Sequence, residues 1–153
     1  MTPRPPSGAH TFLVLSRATR AVETRALASI EDVGLCASDF GVLEALLHKG
    51  ALPVNTLGKT VLLTSGSITT SVDRLAGRGL VARHNDPEDR RVRIVSLTPA
   101  GRRLIKTAYA RHEADLDAIM SVLTGPERAT LVSLLRKLGR GVDATVDGLE
   151  EAS

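Results

Sequence analysis

The stretch of sequence that decides the fold lies at residues 63–101 and reads LTSGSITTSVDRLAGRGLVARHNDPEDRRVRIVSLTPAG. In its first part, Ile68, Val72 and Leu75 are spaced by four and three residues, as on one face of a helix. Small hydroxyl side chains occupy most of the positions between them. The pattern predicts a helix over residues 65–78 that buries its aliphatic face and leaves a small, polar face uncovered.

A β-hairpin is predicted immediately after this helix. Gly79 is a helix stop, and residues 80–84 and 92–97 are strand-like runs on either side of a turn at residues 85–91. The tip of the turn carries Asp89, Arg90 and Arg91. The hairpin therefore presents two guanidinium groups at its end.

The residues before this stretch predict two shorter helices. Ser38 is expected to cap a helix that runs to the terminator Gly50, and Pro53 is expected to open a short polar helix over about residues 55–61. A tight connection then leads into the helix at residues 65–78. Two helices joined in this way predict a helix-turn-helix.

Long helices are predicted on both sides of this unit. Apolar residues recur at helical spacing in residues 12–33, 105–123 and 131–149, the last as a leucine stripe. Thr98-Pro99 and the capping box formed by Thr124 and Glu127 mark the starts of the last two helices. Because the leucine stripe is too apolar to face water, we expect it to be buried across the twofold axis of a dimer.

The predicted fold class is mainly α with a small β-hairpin wing, in one domain of 153 residues. A winged helix-turn-helix core at about residues 38–98 is flanked by dimerisation helices at about residues 10–34 and 99–149. Residues 1–9 are expected to form a flexible N-terminus.

The composition favours duplex DNA as the partner. Aromatic residues make up only 2% of the chain, which leaves almost no stacking platform for unpaired bases. Residues 65–111 hold 10 basic and 4 acidic side chains, whereas residues 112–153 hold 4 basic and 8 acidic ones. The middle of the chain is therefore expected to attract a polyanion. A major groove admits one helix, and arginines at a hairpin tip can reach the adjacent minor groove.

These motifs resemble those of the MarR family of bacterial regulators. The matching runs are Leu63 to Leu75, Gly79-Leu-Val, Asp86-Pro-Glu-Asp-Arg-Arg91 and Leu97-Thr-Pro-Ala-Gly101-Arg. With the order of the helices, the resemblance covers about residues 10–148. It implies a winged-helix homodimer that binds a pseudo-palindromic operator, usually as a repressor released by a small ligand or an oxidant. Half-site centres about 10 bp apart are then expected.

The resemblance also implies which side chains contact DNA. Arg91 resembles the minor-groove arginine and Asp89 its orienting carboxylate, with Arg90 beside them. The positions expected to contact the major groove and phosphates are Ser65, Ser67, Thr69, Thr70 and Ser71. Two alternatives stay open, since Ser65 can instead cap its helix, and Arg74 can contact a phosphate, pair with the wing or form only an internal ion pair.

An effector cleft is implied where the first, second and fifth helices of the family meet. The residues expected there by location are Arg17, Arg20, Cys36, His48 and His112. Residues 47–53 and 62–70 look similar to the branch that responds to quinones and phenolic compounds. Cys36 is either a reactive thiol near a helix N-terminus or a small buried residue, and the buried interpretation is favoured.

Other classes of function lack their characteristic residues. The histidines are scattered singly, and neither a phosphate-cradling glycine loop nor a nucleophile with its base is evident, so no metal, cofactor or enzymatic activity is expected. The longest aliphatic run, residues 12–15, is too short to cross a membrane, and residues 1–10 do not resemble a signal peptide. A cytoplasmic location is expected. The remaining alternative is a winged-helix module that docks onto proteins without specific DNA binding.

Overall fold

The computed structural model describes residues 5–150, with side chains up to residue 142. The elements in order are α1 (Gly8–Glu31), α2 (Ala37–Lys49), β1 (Leu52–Pro53), α3 (Val54–Thr60), α4 (Ser65–Gly77), β2 (Val81–Asn85), β3 (Arg93–Leu97), α5 (Pro99–Met120) and α6 (Gly125–Glu150). The chain divides into two compact units between Leu116 and Asp117. The prediction of a mainly helical fold with a small antiparallel wing is confirmed.

The core of the first unit is mainly aliphatic and is supplied by helices α1 to α5 and the sheet. Its largest fully buried apolar side chains are Leu43, Leu46, Leu57, Ile68, Leu75, Ile105, Val42, Val72 and Val95. On α4, Ile68, Val72 and Leu75 are each no more than 2% exposed. Their spacing therefore predicted the buried face of this helix correctly.

The sheet has three strands in the order β1-β3-β2, all antiparallel to their neighbours. Strands β2 and β3 pair from Val81↔Leu97 to Asn85↔Arg93 and form the predicted hairpin. The sequence did not predict β1, in which Pro53 pairs with Ile94 at the sheet edge. A two-residue strand has no periodicity to detect, and an edge strand tolerates a proline because one side of it makes no ladder.

Two helices begin at residues other than those predicted. The Ser7 hydroxyl accepts a hydrogen bond from the His10 N–H at 3.2 Å, and α1 therefore begins at Gly8, within the segment expected to be flexible. Helix α2 has Cys36 rather than Ser38 at its N-cap, and this cysteine makes no side-chain capping bond. Residues 1–4, the rest of the predicted N-terminal segment, lie outside the described part of the chain.

Hydrogen bonds join the start of α5 to the end of the turn that precedes β2. The Thr98 hydroxyl donates to the carbonyls of Gly79 (2.7 Å) and Leu80 (3.2 Å) and accepts from the Gly101 N–H at 3.0 Å. A Cβ atom at Gly101 would lie 1.9 Å from the Leu80 carbonyl oxygen. Only glycine permits this approach between the two backbones, which positions the wing against α5.

The second unit contains the capping box that the sequence predicted. The backbone N–H and the hydroxyl of Thr124 donate to the Glu127 carboxylate at 2.8 and 2.7 Å, and these bonds lower the pKa of Glu127. The predicted stripe on α6 is 40–59% exposed at Leu131, Leu134, Leu135, Leu138 and Val142. Its last members, Val146 and Leu149, lie beyond the described side chains. In the described part of the chain, no helix is both long and apolar enough for a membrane span.

Candidate nucleic-acid interface

The N-terminus of α4 is capped by Thr64. Its hydroxyl oxygen accepts from the Ser67 N–H at 3.2 Å, and its own proton goes to the Ser67 Oγ at 2.9 Å. This answers the question left open by the sequence, because Ser65 is not the cap. Ser65 is exposed, and no described residue hydrogen-bonds to its hydroxyl, which is free to contact a ligand.

Thr69 and Thr70 lie on the exposed face of α4, and their hydroxyl protons form hydrogen bonds within the helix. The Thr69 hydroxyl donates to the Ser65 carbonyl at 2.8 Å, and the Thr70 hydroxyl donates to the Gly66 carbonyl at 3.0 Å. Each side chain therefore offers an acceptor oxygen and a methyl group rather than a free donor. Such a surface suits apolar contact with thymine methyl groups.

Two of the predicted contact residues are placed differently from the expectation. Ser71 is only 1% exposed and lies on the core face with Ile68, so its prediction as a DNA contact is wrong. Arg74 does not pair with the wing. Its Nε and Nη2 atoms donate to the Asp39 carboxylate of α2 at 2.7 and 2.6 Å. These hydrogen bonds, together with the charge of Asp39, raise the pKa of the Arg74 guanidinium.

Acidic side chains in the loop between β2 and β3 accept hydrogen bonds from the backbone of the same loop. The Asp86 carboxylate accepts from the backbone N–H groups of Glu88 (2.8 Å) and Asp89 (3.3 Å). The Asp89 carboxylate accepts from the backbone N–H of Arg91 at 3.0 Å and from its Nε at 3.4 Å. The structure thus brings together the pair implied by the resemblance. Arg90 is exposed beside them, and the Arg91 side chain is 94% exposed.

A groove of about 710 Å³ separates α4 from the wing, which consists of β2, β3 and the loop between them. It is lined by Pro53, Val54, Asn55, Thr69, Val72, Arg83, Arg91, Val92 and Arg93. Arg83 also forms an ion pair with Asp73 of α4. A groove of this kind, with three guanidinium groups on one side and a helix face on the other, can hold a phosphate backbone.

The sequence predictions missed Arg83 and Arg93. Each lies two residues from a buried strand residue, Val81 or Val95, and so on the same face of the sheet. This alternation was the available signal, because it directs both arginines to the side of the sheet that packs against the helices.

The predicted effector residues lie at several separate places. His112 of α5 meets the Oγ of Ser29 (α1) through its Nδ1 at 3.0 Å and the ring of Phe40 (α2) at 4.9 Å between centroids. The rings of His48 (α2) and Tyr109 (α5) form a T-shaped pair, with centroids 4.8 Å apart. His112 therefore lies where α1, α2 and α5 approach each other, and His48 lies between α2 and α5. Partial burial, with smaller effects from Glu113 and Glu44, raises the pKa of Tyr109.

The other three predicted effector residues are not drawn into these contacts. Arg17 and Arg20 are exposed on α1. Cys36 is exposed, so the expectation of a buried thiol is wrong. Its Sγ contacts the Ser38 Oγ at 3.2 Å and the Arg74 Nη2 at 3.3 Å. The thiol thus lies beside the polar link between α2 and α4 and not beside either histidine.

Comparison with known proteins agrees with this geometry. The MarR family profile matches residues 22–92. The HTH-type transcriptional regulator MhqR of Bacillus subtilis (strain 168) is 38% identical over 128 residues, which cover 84% of this chain and 88% of MhqR. The chain belongs to the MarR family. It is a winged-helix, DNA-binding transcriptional regulator rather than an enzyme, as its relatives are.

Solved structures with the same fold include two at comparable identity. A probable transcriptional regulator from Pseudomonas aeruginosa is 31% identical with a TM-score of 0.71, and the match covers 80% of this chain and 95% of that one. BpsR of Bordetella bronchiseptica is 30% identical with a TM-score of 0.70, over 82% of this chain and 98% of BpsR. The DNA binding of BpsR is regulated by 6-hydroxynicotinic acid.

Proposed function

We propose that this MarR-family chain is a homodimeric repressor that binds a pseudo-palindromic DNA operator and is released by a small aromatic ligand. The observation that carries the proposal is the placement of the exposed hydroxyl face of α4 beside the arginine-lined groove of the wing. The family membership supplies the class of function. The geometry supports this surface as the part of the chain that would contact DNA.

DNA binding by this surface would use two grooves of the duplex. Helix α4 would enter the major groove with Ser65, Ser67, Thr69 and Thr70 facing the bases and phosphates, while Arg91 at the wing tip would reach the adjacent minor groove. Arg91 is suited to this role because its side chain is 94% exposed while its backbone and Nε are held by Asp89. Arg90, next to it on the loop, would supply a further phosphate contact.

Homodimerisation is supported by apolar surface that a single chain leaves in water. The stripe on α6 includes Leu134 at 59% exposure, and α1 carries Phe12 at 71%. Exposed apolar side chains at this density on helices are characteristic of an interface between protein chains. A twofold axis would place two copies of α4 in successive major grooves, so the operator would be an inverted repeat with half-site centres about 10 bp apart.

Regulation by a hydroxylated aromatic compound is supported by the relative BpsR and by the contacts at the junction of α1, α2 and α5. His112 with Ser29, and His48 with Tyr109, offer hydrogen-bonding groups next to aromatic rings. A phenol, a quinone or an aromatic acid would find both kinds of contact there. The ligand can change operator affinity only by binding the two forms of the dimer unequally.

The experiment is fluorescence anisotropy of the purified protein against duplexes that tile the region upstream of its own gene. We expect selective binding whose affinity falls steeply with salt, at about 0.9 units of logarithmic slope per neutralised phosphate. The variant Arg91→Ala should lose selectivity, whereas Arg25→Ala, at an exposed arginine of α1, should bind like the wild type. Equal and weak binding to every duplex by the wild type would contradict the proposal.

The same assay tests the ligand. The tightest-binding duplex is titrated with 6-hydroxynicotinic acid, a simple phenol and a quinone at fixed protein concentration. Release of the duplex by at least one of these compounds is expected. If none of the three compounds lowers the anisotropy of the complex, although all three stay dissolved, the proposal that a small aromatic ligand of this kind releases the DNA is wrong.

A further inference from the structure

Arg74 and Asp39 form the ion pair with the most deeply buried carboxylate in the described part of the chain. The Asp39 side chain is 2% exposed, whereas the acidic partner of each other ion pair in the described residues is at least 49% exposed. The Nε of Arg74 donates to one oxygen of Asp39 at 2.7 Å, and its Nη2 donates to the other at 2.6 Å. This two-point arrangement fixes the direction of both side chains as well as their distance.

The same guanidinium is surrounded by further polar groups. Its Nη2 lies 3.3 Å from the Cys36 Sγ, 3.5 Å from the Ser38 Oγ and 3.5 Å from the Ser71 Oγ. Cys36 and Ser38 belong, like Asp39, to the start of α2, and Ser71 belongs to α4 itself. The contacts therefore tie the last turn of α4, through Arg74, to the first turn of α2.

We propose that Asp39 and Arg74 are a positioning pair that holds α4 at the angle at which its hydroxyl face meets DNA. This inference rests on the DNA-binding function proposed above. It assigns Asp39 a role in operator binding although that side chain is buried and cannot touch DNA. It also removes Arg74 from the direct contacts to DNA.

The physical reason is the cost of leaving a buried charge without its partner. Loss of the Asp39 carboxylate removes two charge-assisted hydrogen bonds that join α2 to α4, and loss of Arg74 leaves the buried carboxylate unpaired. Either change lets α4 shift relative to α2. The rival explanation is that the Nη1 of Arg74, which no described residue contacts, donates to a phosphate.

The test is a double-mutant cycle on operator affinity with Asp39→Asn, Arg74→Gln and the double variant. The duplex is the tightest binder from the tiling experiment, and each affinity is measured over a range of salt. We expect each single variant to bind the operator about 3- to 30-fold more weakly than the wild type. The double variant should bind at least as tightly as the single variant that has the lower affinity. The salt slope should match that of the wild type, since no phosphate contact is lost.

Asp32→Asn is the matched control. It removes another interhelical ion pair, Arg111 Nη2 to Asp32 Oδ2 at 2.5 Å, whose two side chains are about half exposed. We expect unchanged operator affinity for this variant. If Arg74→Gln lowers the salt slope by about 0.9 while Asp39→Asn binds normally, Arg74 is a phosphate contact and the positioning role is wrong.

Hydrogen exchange in the free protein gives a second readout that needs no operator. Amides of residues 68–77 should exchange faster in Asp39→Asn than in the wild type and at the wild-type rate in Asp32→Asn. Circular dichroism verifies that each variant retains its helices. Unchanged exchange in α4 would overturn the inference. If the wild type binds every duplex weakly, the proposed function fails, but the exchange experiment still decides whether the pair positions α4.

Discussion

The close approach of α5 to the turn before β2 predicts a large loss of stability for Gly101→Ala. The new Cβ atom would lie 1.9 Å from the Leu80 carbonyl oxygen and 2.8 Å from its carbonyl carbon, and contacts below 3.0 Å are essentially never adopted by real Cβ atoms. The obstacle is backbone on both sides, so no side-chain rotation relieves it. The two segments would have to separate by more than 1 Å at this point.

The cost has two parts. Overpacking a well-filled site costs about 1–3 kcal/mol even where side chains can adjust. Separation would also weaken the hydrogen bonds that Thr98 makes to the Leu80 carbonyl, at 3.1 Å from its N–H and 3.2 Å from its hydroxyl, each worth about 1 kcal/mol. We therefore expect Gly101→Ala to lower the free energy of unfolding by about 3 kcal/mol, a large fraction of the stability of a typical domain.

The assay is urea unfolding followed by circular dichroism, at one protomer concentration for all variants because the proposed dimerisation would contribute to the measured stability. Gly77→Ala is the control. Gly77 is the last residue of α4, and a Cβ atom there would meet nothing within 4 Å. It should be neutral or stabilise by up to about 1 kcal/mol. Gly101→Ala within about 0.5 kcal/mol of the wild type would refute the close backbone contact.

Two further predictions concern α6. Leu134→Asp, on the exposed apolar stripe, should produce monomers at micromolar concentration in analytical ultracentrifugation, whereas Arg136→Ala, on the opposite side of the helix, should leave a dimer. A Leu134→Asp dimer would contradict the proposed interface. Thr124→Ala should raise the pKa of Glu127 towards its usual range, measured by NMR titration, because the hydroxyl donor is lost while the backbone donor remains. Because folding lowers the pKa of Glu127, its capping bond stabilises the protein above about pH 4.3, and this stabilisation is lost as the pH falls through the folded-state pKa. An unchanged pKa of Glu127 in the variant would show that the Thr124 hydroxyl does not contribute to the shift.

The parts of the fold that were predictable from sequence are set by residues close together in the chain. The spacing of Ile68, Val72 and Leu75 identified the buried face of α4, and the Thr124–Glu127 pair identified the start of α6. Both signals act within one or two helical turns. Helical periodicity and capping depend on residues that are close in the sequence, and the tertiary packing of these helices is consistent with both signals.

The parts that were not predictable depend on contacts between distant segments. Ser71 is three residues from Ile68 and shares its face, but a hydroxyl side chain counts as polar in a periodicity pattern and was assigned to the DNA-facing side. Asp39 lies in the first turn of α2, where acidic residues are common, so the local sequence does not single it out. Its importance comes from Arg74, 35 residues later, and no local pattern specifies which of several arginines it pairs with.

The placement of these residues bears on how the proposed regulator would select its operator. The hydroxyls of Thr69 and Thr70 donate to backbone carbonyls of α4, and the Arg74 guanidinium donates to Asp39. Few side chains of this helix therefore keep a free donor group of the kind that discriminates strongly between bases. The arginines that line the groove instead belong to the wing, and the minor groove that a wing would read shows only a degenerate pattern of hydrogen-bonding groups. Selectivity would then depend on thymine methyl groups, on the width of the minor groove beneath Arg91 and on the spacing of two half-sites. A ligand that changes the distance between the two copies of α4 would act on the last of these, without altering any base contact within one half-site.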